Sequence, residues 1–297
     1  MAKIVPILIT CDVDPTPEAT VADKRLALVN TTSLFDENGI KGTFFFVANI
    51  IKDYKKQISL LLTGNHEIGC HGLTHDEKEE FSRMPKDLQL SILTKATRLI
   101  RNITGKSVLS FRGPRVKTSS ITQGILDELG YKVDSSVCSQ RMDIFSSNLI
   151  NTNWLFAPRI PYHPHIQNAF KRGDRSLWVV PISALILPFV SGTLYTFGLR
   201  FAEKMFDCLY RESLRTGKPI VYLLHPAEFA PKIRQRDINY PIFVEGFRFR
   251  RSKLIFETNI EKRYVLNKKL FHRMNTYPNV KFLTMKDYTE NHIKRSA

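Results

Sequence analysis

The feature that most constrains the fold is a repeated alternation of short apolar runs with longer amphipathic segments. Ile4–Cys11 is rich in aliphatic and β-branched residues, which is typical of a strand buried on both faces. Ala22–Asn38 follows with helical spacing and ends at Gly39. Because strand and helix alternate in this way along the whole chain, we predict a parallel sheet covered by helices.

The number of these units favours a barrel. About seven of them in a chain of this length predict a closed or nearly closed (β/α) barrel. An open doubly wound sheet is the alternative, because both folds place polar residues after the carboxyl ends of their strands. The other predicted strands are Gly42–Ala48, Glu67–Cys70, Leu109–Phe111, one beginning at Val133, Leu177–Ile182, Pro219–Leu224 and Val280–Leu283, and the other predicted helices are Lys86–Asn102, Ser120–Leu129, Phe201–Arg215 and Ile260–Met274.

Two acidic residues end the first predicted strand. Successive side chains of an extended chain point to opposite faces, so Asp12 and Asp14 share one face of this strand. Two neighbouring carboxylates repel each other unless a cation or an arginine compensates them. The pair therefore indicates a metal or catalytic site, although a solvated turn capped by Asp14 explains the same residues.

Two histidines follow the strand Glu67–Cys70. If His71 and His75 lie on one helical turn, both imidazoles can reach a single zinc ion. Asp76, the next residue, is suited to orient one of the rings as an outer partner. The spacing also arises by chance, so taken alone it only suggests a metal site.

Polar residues follow two later strands as well. Arg112 comes directly after Leu109–Phe111, where a permanently charged guanidinium is suited to hold Asp12 ionised, unless Arg112 is a surface residue. Asp134–Ser136 follows Val133, and a capping turn there is as good an interpretation as a functional role.

His225 ends the strand Pro219–Leu224. It is either a core histidine whose nitrogens are satisfied or a general acid at neutral pH. Its position at the carboxyl end of a strand favours the second interpretation. His163 and His165 are predicted to lie in a loop that comes no closer than the edge of the cleft.

Together these segments resemble the polysaccharide deacetylases, the NodB-homology group also called carbohydrate esterase family 4. Five motifs occur in the order typical of that family between residues 10 and 226. The most specific stretch is Gly64–His75, and Lys41–Val47 is similar to the family's second strand. The resemblance implies a distorted (β/α) barrel in one domain over residues 1–297, with the basic part 229–297 packed on the barrel or extending it.

The first motif departs from the usual family pattern, which reads Thr-Phe-Asp-Asp-Gly. Here Val13 stands in place of the second Asp and Asp14 in place of Gly. The chain is similar instead to a branch with an Asp-Val-Asp pattern that is associated with exopolysaccharides. In that branch the second carboxylate is the metal ligand, which implies that Asp14 is the ligand here.

The resemblance implies a divalent metal ion, with Zn²⁺ the first candidate, held by Asp14, His71 and His75. It further implies that Asp12 acts as the base, that Arg112 keeps Asp12 charged and that His225 protonates the departing amine. We therefore expect a metal-dependent hydrolase that removes an N-acyl group, in the first place acetyl, from an amino sugar of a cell-surface glycan or its precursor.

The positive charge is concentrated toward the C-terminus. The net charge is +16, and residues 229–275 hold 12 Lys+Arg against 4 Asp+Glu, which is half of the excess. Such a field attracts anions, so it favours a phosphate-bearing glycan or peripheral contact with an acidic membrane, although a solvated basic face explains it equally well.

Three alternatives remain at this level. The same site would suit a deformylase or amidase acting on a lipid-linked or nucleotide-linked aminosugar or another small amide. A nucleic-acid binder is suggested only by the alternation of aromatic and basic residues in Phe247–Arg251, and since no nucleic-acid motif accompanies it, we expect no nucleic-acid partner. A catalytically inactive scaffold is disfavoured by the intact carboxylates and histidines.

The cysteines and the apolar runs bear on location. Cys11, Cys70, Cys138 and Cys208 are widely spaced, which argues against a disulfide framework and against a cysteine-bound zinc. Leu177–Val190 is too short to cross a bilayer and contains two prolines. We expect a cytoplasmic protein, and a homo-oligomer stays open.

Overall fold

The structure is a computed structural model that describes residues 3–140, 153–231, 241–244, 247–250 and 259–291. The helices are α1 (Val21–Glu37), α2 (Lys55–Thr63), α3 (Lys86–Thr104), α4 (Ser120–Glu128), α5 (Asn153–Phe156), α6 (Ser191–Phe197), α7 (Leu199–Thr216), α8 (Ile260–Asn275) and α9 (Met285–Asn291). The strands are β1 (Val5–Val13), β2 (Thr43–Phe46), β3 (Glu67–Cys70), β4 (Ser110–Phe111), β5 (Val133–Asp134), β6 (Pro164–His165), β7 (Asn168–Arg172), β8 (Trp178–Val179), β9 (Ala184–Leu185), β10 (Leu187–Pro188), β11 (Ile220–Leu224), β12 (Pro241–Val244), β13 (Phe247–Arg250) and β14 (Val280–Phe282).

The main sheet consists of parallel pairs. Its order is β11-β1-β2-β3-β4-β5-β8, and β14 pairs with the start of β1 on the same edge as β2. The strands β1 to β5 lie side by side in chain order, as in a (β/α) barrel. In a doubly wound sheet the order of the strands would instead reverse partway across, so that alternative is wrong.

The segment after β8 closes the circle of strands. The backbone nitrogen of Ser183 donates to the carbonyl of Val221 in β11 at 3.2 Å, and Val190 forms a parallel bridge with Leu223. Strands β4, β5 and β8 have only two residues each, so this side of the wall is irregular. The predicted distorted (β/α) barrel with about seven parallel strands is confirmed.

Side chains alternate between the barrel interior and the surrounding helices. In β1, Ile7 and Ile9 belong to the core beneath the helices, whereas Leu8 packs inside the barrel with Phe45 and Val221. All nine residues of β1 are buried. Since burying one large aliphatic side chain contributes about 1.5–3 kcal/mol, β1 anchors both layers of the core.

The helices that sequence reasoning identified carry clear end signals. α1 starts where the Thr20 hydroxyl accepts from the Asp23 backbone nitrogen, and α3 ends at Gly105, whose φ of +64° suits glycine. α2 and α6 were not predicted, and both begin without a capping side chain. α9 is a short helix that was also not predicted.

Two described elements of the basic C-terminal region, α8 and β14, join the barrel. Leu270 and Phe271 of α8 lie in the core, β14 extends the sheet at β1, and β12 and β13 form an antiparallel hairpin. Residues 232–240, 245–246, 251–258 and 292–297 lie outside the described residues, so the single-domain assignment stays a prediction. Among the described helices, none is long and apolar enough to cross a membrane.

Candidate metal centre and active site

The alternation of side chains explains why polar groups from distant strands meet. Asp12 shares the inward parity of Leu8, and His225 that of Val221, so both side chains follow a row that points into the barrel. Arg112 stands one residue past the outward-facing Phe111 and so has the same direction. Because the carboxyl ends of parallel strands lie at one end of the barrel, the polar residues that follow these strands lie at the same mouth.

Three potential metal ligands converge at this mouth. The ligand atoms of Asp14, His71 and His75 all lie within 4.8 Å of one another. Oδ1 of Asp14 is 3.3 Å from Nε2 of His71 and 3.8 Å from Nε2 of His75, and the two rings are 5.3 Å apart between centroids. The structure thus brings together the three residues that the sequence suggested as ligands.

This donor set fits a divalent cation. Oδ1 of Asp14 is buried and accepts no hydrogen bond, so the site holds an orphaned acceptor. Nδ1 of His71 is 2.7 Å from the carbonyl of Arg112, which fixes the ring with Nε2 toward Asp14. Two imidazoles with one carboxylate form a common catalytic zinc set, and bonds of about 2.0–2.2 Å give ligand separations of roughly 3.3 Å.

The two histidines do not lie on a helical turn, so that part of the prediction is wrong. Gly72 has φ +77° and His75 has φ +66°, and the segment is an irregular loop. A non-glycine residue in this conformation needs support from its surroundings. Nor does Asp76 orient His71, because the carbonyl of Arg112 does so.

Glu79 organises this loop and was missed by sequence reasoning. Its buried carboxylate accepts the backbone nitrogens of Leu73 and Thr74, each at 2.6 Å, and that of His75 at 3.1 Å. A Cβ at Gly72 would collide with the same carboxylate, so glycine is required there for close approach as well as for its positive φ. The only sequence signal was an acidic residue shortly after the histidine pair.

Arg112 is completely buried and holds Asp12. Its Nη1 donates to Oδ1 of Asp12 at 2.8 Å and to the hydroxyl of Thr10 at 2.9 Å. Its other nitrogens donate to the hydroxyl and the carbonyl of Ser135, at 2.9 and 3.1 Å. The guanidinium also lies over the ring of Phe45 at 4.5 Å. The surface interpretation of Arg112 is therefore wrong.

The segment after β5 supports the arginine loop. Besides the contacts of Ser135 with Arg112, the hydroxyl of Ser136 accepts the backbone nitrogen of Gly113 at 2.8 Å. Asp134 is buried and bonded to Ser136, Thr118 and Gln123. These residues act on the site indirectly, through the position of Arg112.

His225 lies near the second carboxylate oxygen of Asp14, the one that the two other histidines do not approach. Its Nε2 is 3.7 Å from Oδ2 of Asp14 and its Nδ1 is 3.3 Å from Oε1 of Glu228. Burial opposes the charged form of the imidazole, but Glu228 and Asp14 outweigh it and raise the pKa of His225 to about 9. A protonated imidazole at neutral pH is a potential proton donor.

The charges of the site also act on its ligands. Burial alone would raise the pKa of Asp14, but His71, His225 and His75 hold it below its ordinary value. Burial lowers the pKa of His75, and the charge of Asp14 does not restore it. An ionised carboxylate and a neutral imidazole are the states in which these groups bind a metal.

The remaining residues singled out from the sequence lie elsewhere. His163 packs on Trp178 with ring centroids 3.8 Å apart, and His165 belongs to β6. Phe247–Arg250 forms β13, while the side chains of that strand and the whole of Arg251 are outside the described residues. The cysteines Cys11, Cys70, Cys138 and Cys208 are all free.

Comparison with known proteins adds independent findings. Residues 6–133 match the family model described as polysaccharide deacetylase. The peptidoglycan deacetylase of Helicobacter pylori is 27% identical over 104 residues, which are 35% of this chain and 34% of that protein. The match thus spans about a third of the length of this curated relative.

Solved structures share the fold along the whole chain. A protein of Mycobacterium smegmatis named as a polysaccharide deacetylase superposes with a TM-score of 0.68 at 17% identity, covering 100% of this chain and 92% of the other. An allantoinase superposes with a TM-score of 0.60 at 14% identity, covering 98% and 92%. At these identities the likeness shows the fold alone.

Proposed function

We propose that this chain, whose residues 6–133 belong to the polysaccharide deacetylase family, hydrolyses the amide of an N-acylated amino sugar in a glycan or glycan precursor. The observation that carries the proposal is the convergence of Asp14, His71 and His75 beside the Asp12–Arg112 pair and His225. The curated relative is a peptidoglycan deacetylase, which supports an acetyl group on a cell-wall sugar as the first substrate to test.

Asp14, His71 and His75 would hold the cation, and their nitrogen and oxygen donors favour Zn²⁺. When bound, such an ion acidifies a water molecule and polarises a carbonyl oxygen. The protein's own part is to keep Oδ1 of Asp14 and the two Nε2 atoms turned toward one point. The loop bonded to Glu79 and the carbonyl of Arg112 maintain that arrangement.

Asp12 is the proposed base that accepts the proton of the attacking water. Its Oδ1 is bonded to Arg112, which leaves Oδ2, 3.8 Å from Nε2 of His71, directed toward the ligand cluster. The buried guanidinium compensates the charge of the Asp12 carboxylate, which is itself almost completely buried. A general base must lie within hydrogen-bond reach of the proton that it abstracts, and the free Oδ2 is the atom of Asp12 that can do so.

His225 is the proposed acid. Amide cleavage expels an amine, which leaves readily only when it is protonated. Nε2 of His225 lies 3.7 Å from Oδ2 of Asp14, and Oδ2 of Asp12 lies 3.8 Å from Nε2 of His71, so the proposed acid and base both border the ligand cluster. Because its pKa is raised, the imidazole of His225 is protonated at neutral pH and can donate that proton to the departing amine.

A different amide in the same site is the second candidate. The net charge of +16 suits an anionic substrate such as a phosphate-bearing, lipid-linked or nucleotide-linked aminosugar, from which the chain would remove a formyl or acetyl group. Activity on neutral N-acetylglucosamine oligomers that equals activity on phosphorylated sugars would favour the first candidate.

The test is metal removal and replacement. The protein is treated with a chelator, and acetate release from N-acetylglucosamine oligomers and from peptidoglycan is measured before and after Zn²⁺ is added. We expect release to disappear and return, to be lost in His75→Ala, and to persist in His272→Ala, which changes an exposed histidine of α8. Acetate release that survives chelation would contradict the proposal. Cytoplasmic location, membrane contact and homo-oligomerisation stay predictions.

A further inference from the structure

Glu228 is fixed by hydrogen bonds that the proposed mechanism does not use. Its Oε1 accepts the hydroxyl of Ser191 at 2.7 Å, and its Oε2 accepts the hydroxyl of Tyr195 at 2.8 Å. Both donors belong to α6, while Glu228 lies three residues beyond His225. The carboxylate is therefore clamped between α6 and the end of β11, with His225 as its neighbour on the side of the site.

A buried chain of hydrogen bonds continues from Tyr195 to α8. Nδ2 of Asn267 donates to the Tyr195 oxygen at 2.8 Å, and Oδ1 of Asn267 accepts the hydroxyl of Tyr222 at 2.9 Å. Asn267 and Tyr222 are completely buried and Tyr195 is only 3% exposed. Water therefore cannot replace these partners without cost.

The donors and acceptors of this hydrogen-bond chain are fixed in one direction. Nδ2 of Asn267 also donates to the carbonyl of Arg263 at 2.9 Å, so its amide cannot turn over without losing bonds on both sides. Because the Tyr195 oxygen accepts from Asn267, its own proton is left for Glu228. Among the described residues, Ser191, Tyr195 and His225 can therefore all donate to Glu228. Its carboxylate is thus suited to accept Nδ1–H of His225.

We propose that Glu228, held by Ser191 and by the Tyr195–Asn267 chain, is the positioning residue that sets the ring orientation of His225 and turns Nε2 toward the scissile amide. Asp134 is also a buried carboxylate, but it does not position His225, because its oxygens accept from Thr118, Gln123 and Ser136. The inference rests on the proposed function for its kinetic consequence but not for its geometry.

The geometric arm of the test is nuclear magnetic resonance of the histidine rings. Protein labelled with ¹⁵N-histidine reports which ring nitrogen carries the proton, and His225 is assigned by the signal that disappears in His225→Gln. At a pH above the raised pKa of His225, we expect the Nδ1–H form of the neutral ring in the native protein and a mixture of both forms in Glu228→Gln. The same distribution in both proteins would overturn the proposal.

The kinetic arm uses zinc-loaded protein and acetate release from N-acetylglucosamine oligomers. Loss of an outer partner costs about 10–100-fold in comparable sites, so we expect Glu228→Gln to lower kcat by that factor with KM nearly unchanged. Tyr195→Phe removes a single donor and should lower kcat about 3–10-fold. The matched control is Tyr210→Phe, which removes a hydroxyl bonded to the carbonyl of Pro278 and should leave kcat unchanged.

The arms separate the two proposals. If the native protein releases no acetate while the ring proton still moves in Glu228→Gln, the proposed function fails and the positioning role of Glu228 stands. If acetate is released and Glu228→Gln keeps full kcat, the positioning role fails alone. Should Glu228→Gln not fold, Tyr195→Phe decides through the same two measurements, because equal kcat and equal ring protonation in that variant would also overturn the proposal.

Discussion

Two partly buried carboxylates at opposite ends of the barrel differ in how their oxygens are satisfied. Glu67 begins β3, and its oxygens accept from Ser110, from Thr43 and from the backbone nitrogen of Lys286. Asp14 follows the end of β1, and its buried Oδ1 accepts no hydrogen bond. Both are acidic residues at the edge of a buried strand, so the chain presents them alike.

The difference separates a structural carboxylate from a ligand. Buried polar atoms normally have partners, so a saturated carboxylate such as Glu67 is complete within the fold. An unsatisfied acceptor is costly unless something else binds it, and Asp14 directs that acceptor at two imidazole nitrogens. We therefore expect changes at the Asp14 end to act on metal and turnover, and changes at the Glu67 end to act on stability.

The largest expected effect is that of Asp12→Asn. The amide keeps the size of the side chain but cannot accept the proton, so acetate release should fall by about 10²–10⁴-fold. Zinc content, measured by elemental analysis, should be unchanged because Asp12 is not among the proposed ligands. Asp87→Asn on the surface of α3 serves as the control. A fall of less than tenfold would remove Asp12 from the role of base.

Asp14→Asn should act on metal affinity first. Losing an outer partner of a ligand costs about 10–100-fold in affinity, so losing a ligand should cost more than about 100-fold. Isothermal titration with Zn²⁺ measures the change. Zinc affinity equal to that of the native protein would mean that Asp14 is not a ligand.

Glu79→Gln tests the support of the histidine loop. The introduced amide would oppose backbone nitrogens that now donate to a carboxylate, which should release His75 from its left-handed conformation. We expect zinc affinity to fall by about 10–100-fold. Glu77→Gln, an exposed change in the same loop, should leave it unaltered. If both variants bind zinc equally well, the loop does not depend on Glu79.

Period-2 patterns explain why much of this site could be predicted from the sequence. Strand ends are visible as the last residues of apolar runs, and the alternation of side chains predicts that Asp12 and Asp14 share one face of the first strand. The barrel follows from the alternation of strands and helices. None of this requires knowledge of contacts between distant residues.

The contacts that hold the site are tertiary and left no comparable pattern. Glu79 reaches the histidine loop only because Gly72 and His75 adopt positive φ, which turns three backbone nitrogens toward it. Ser135 looked like a capping residue, yet it binds a guanidinium from a neighbouring strand. The helical turn predicted for the two histidines failed for the same reason, since the loop follows Glu79 and not a local propensity.

At the other end of the barrel, Glu67→Ala should leave the metal site intact and destabilise the fold. Three donors lose their acceptor at a partly buried position, which should cost at most about 1–3 kcal/mol. Urea unfolding of metal-free protein measures the cost. Glu77→Ala is the exposed control. A loss of zinc affinity without a loss of stability would erase the contrast between the two carboxylates.

The smallest effect is a pH-dependent one, expected for Glu67→Gln. Burial raises the pKa of Glu67 above its ordinary 4.5, and the hydrogen bonds from Ser110, Lys286 and Thr43 only partly oppose it. As pH rises from about 4.5 toward the raised folded pKa, the unfolded chain loses this proton while the folded chain keeps it, so the native protein loses stability over that window. Glutamine cannot ionise, so the variant should lie within about 1 kcal/mol of the native protein at pH 4 and gain on it as pH increases, until the difference levels off above the folded pKa. Parallel unfolding free energies across this pH range would show that the fold leaves the pKa of Glu67 at its ordinary value, and that the two ends of the barrel are more alike than their hydrogen bonds indicate.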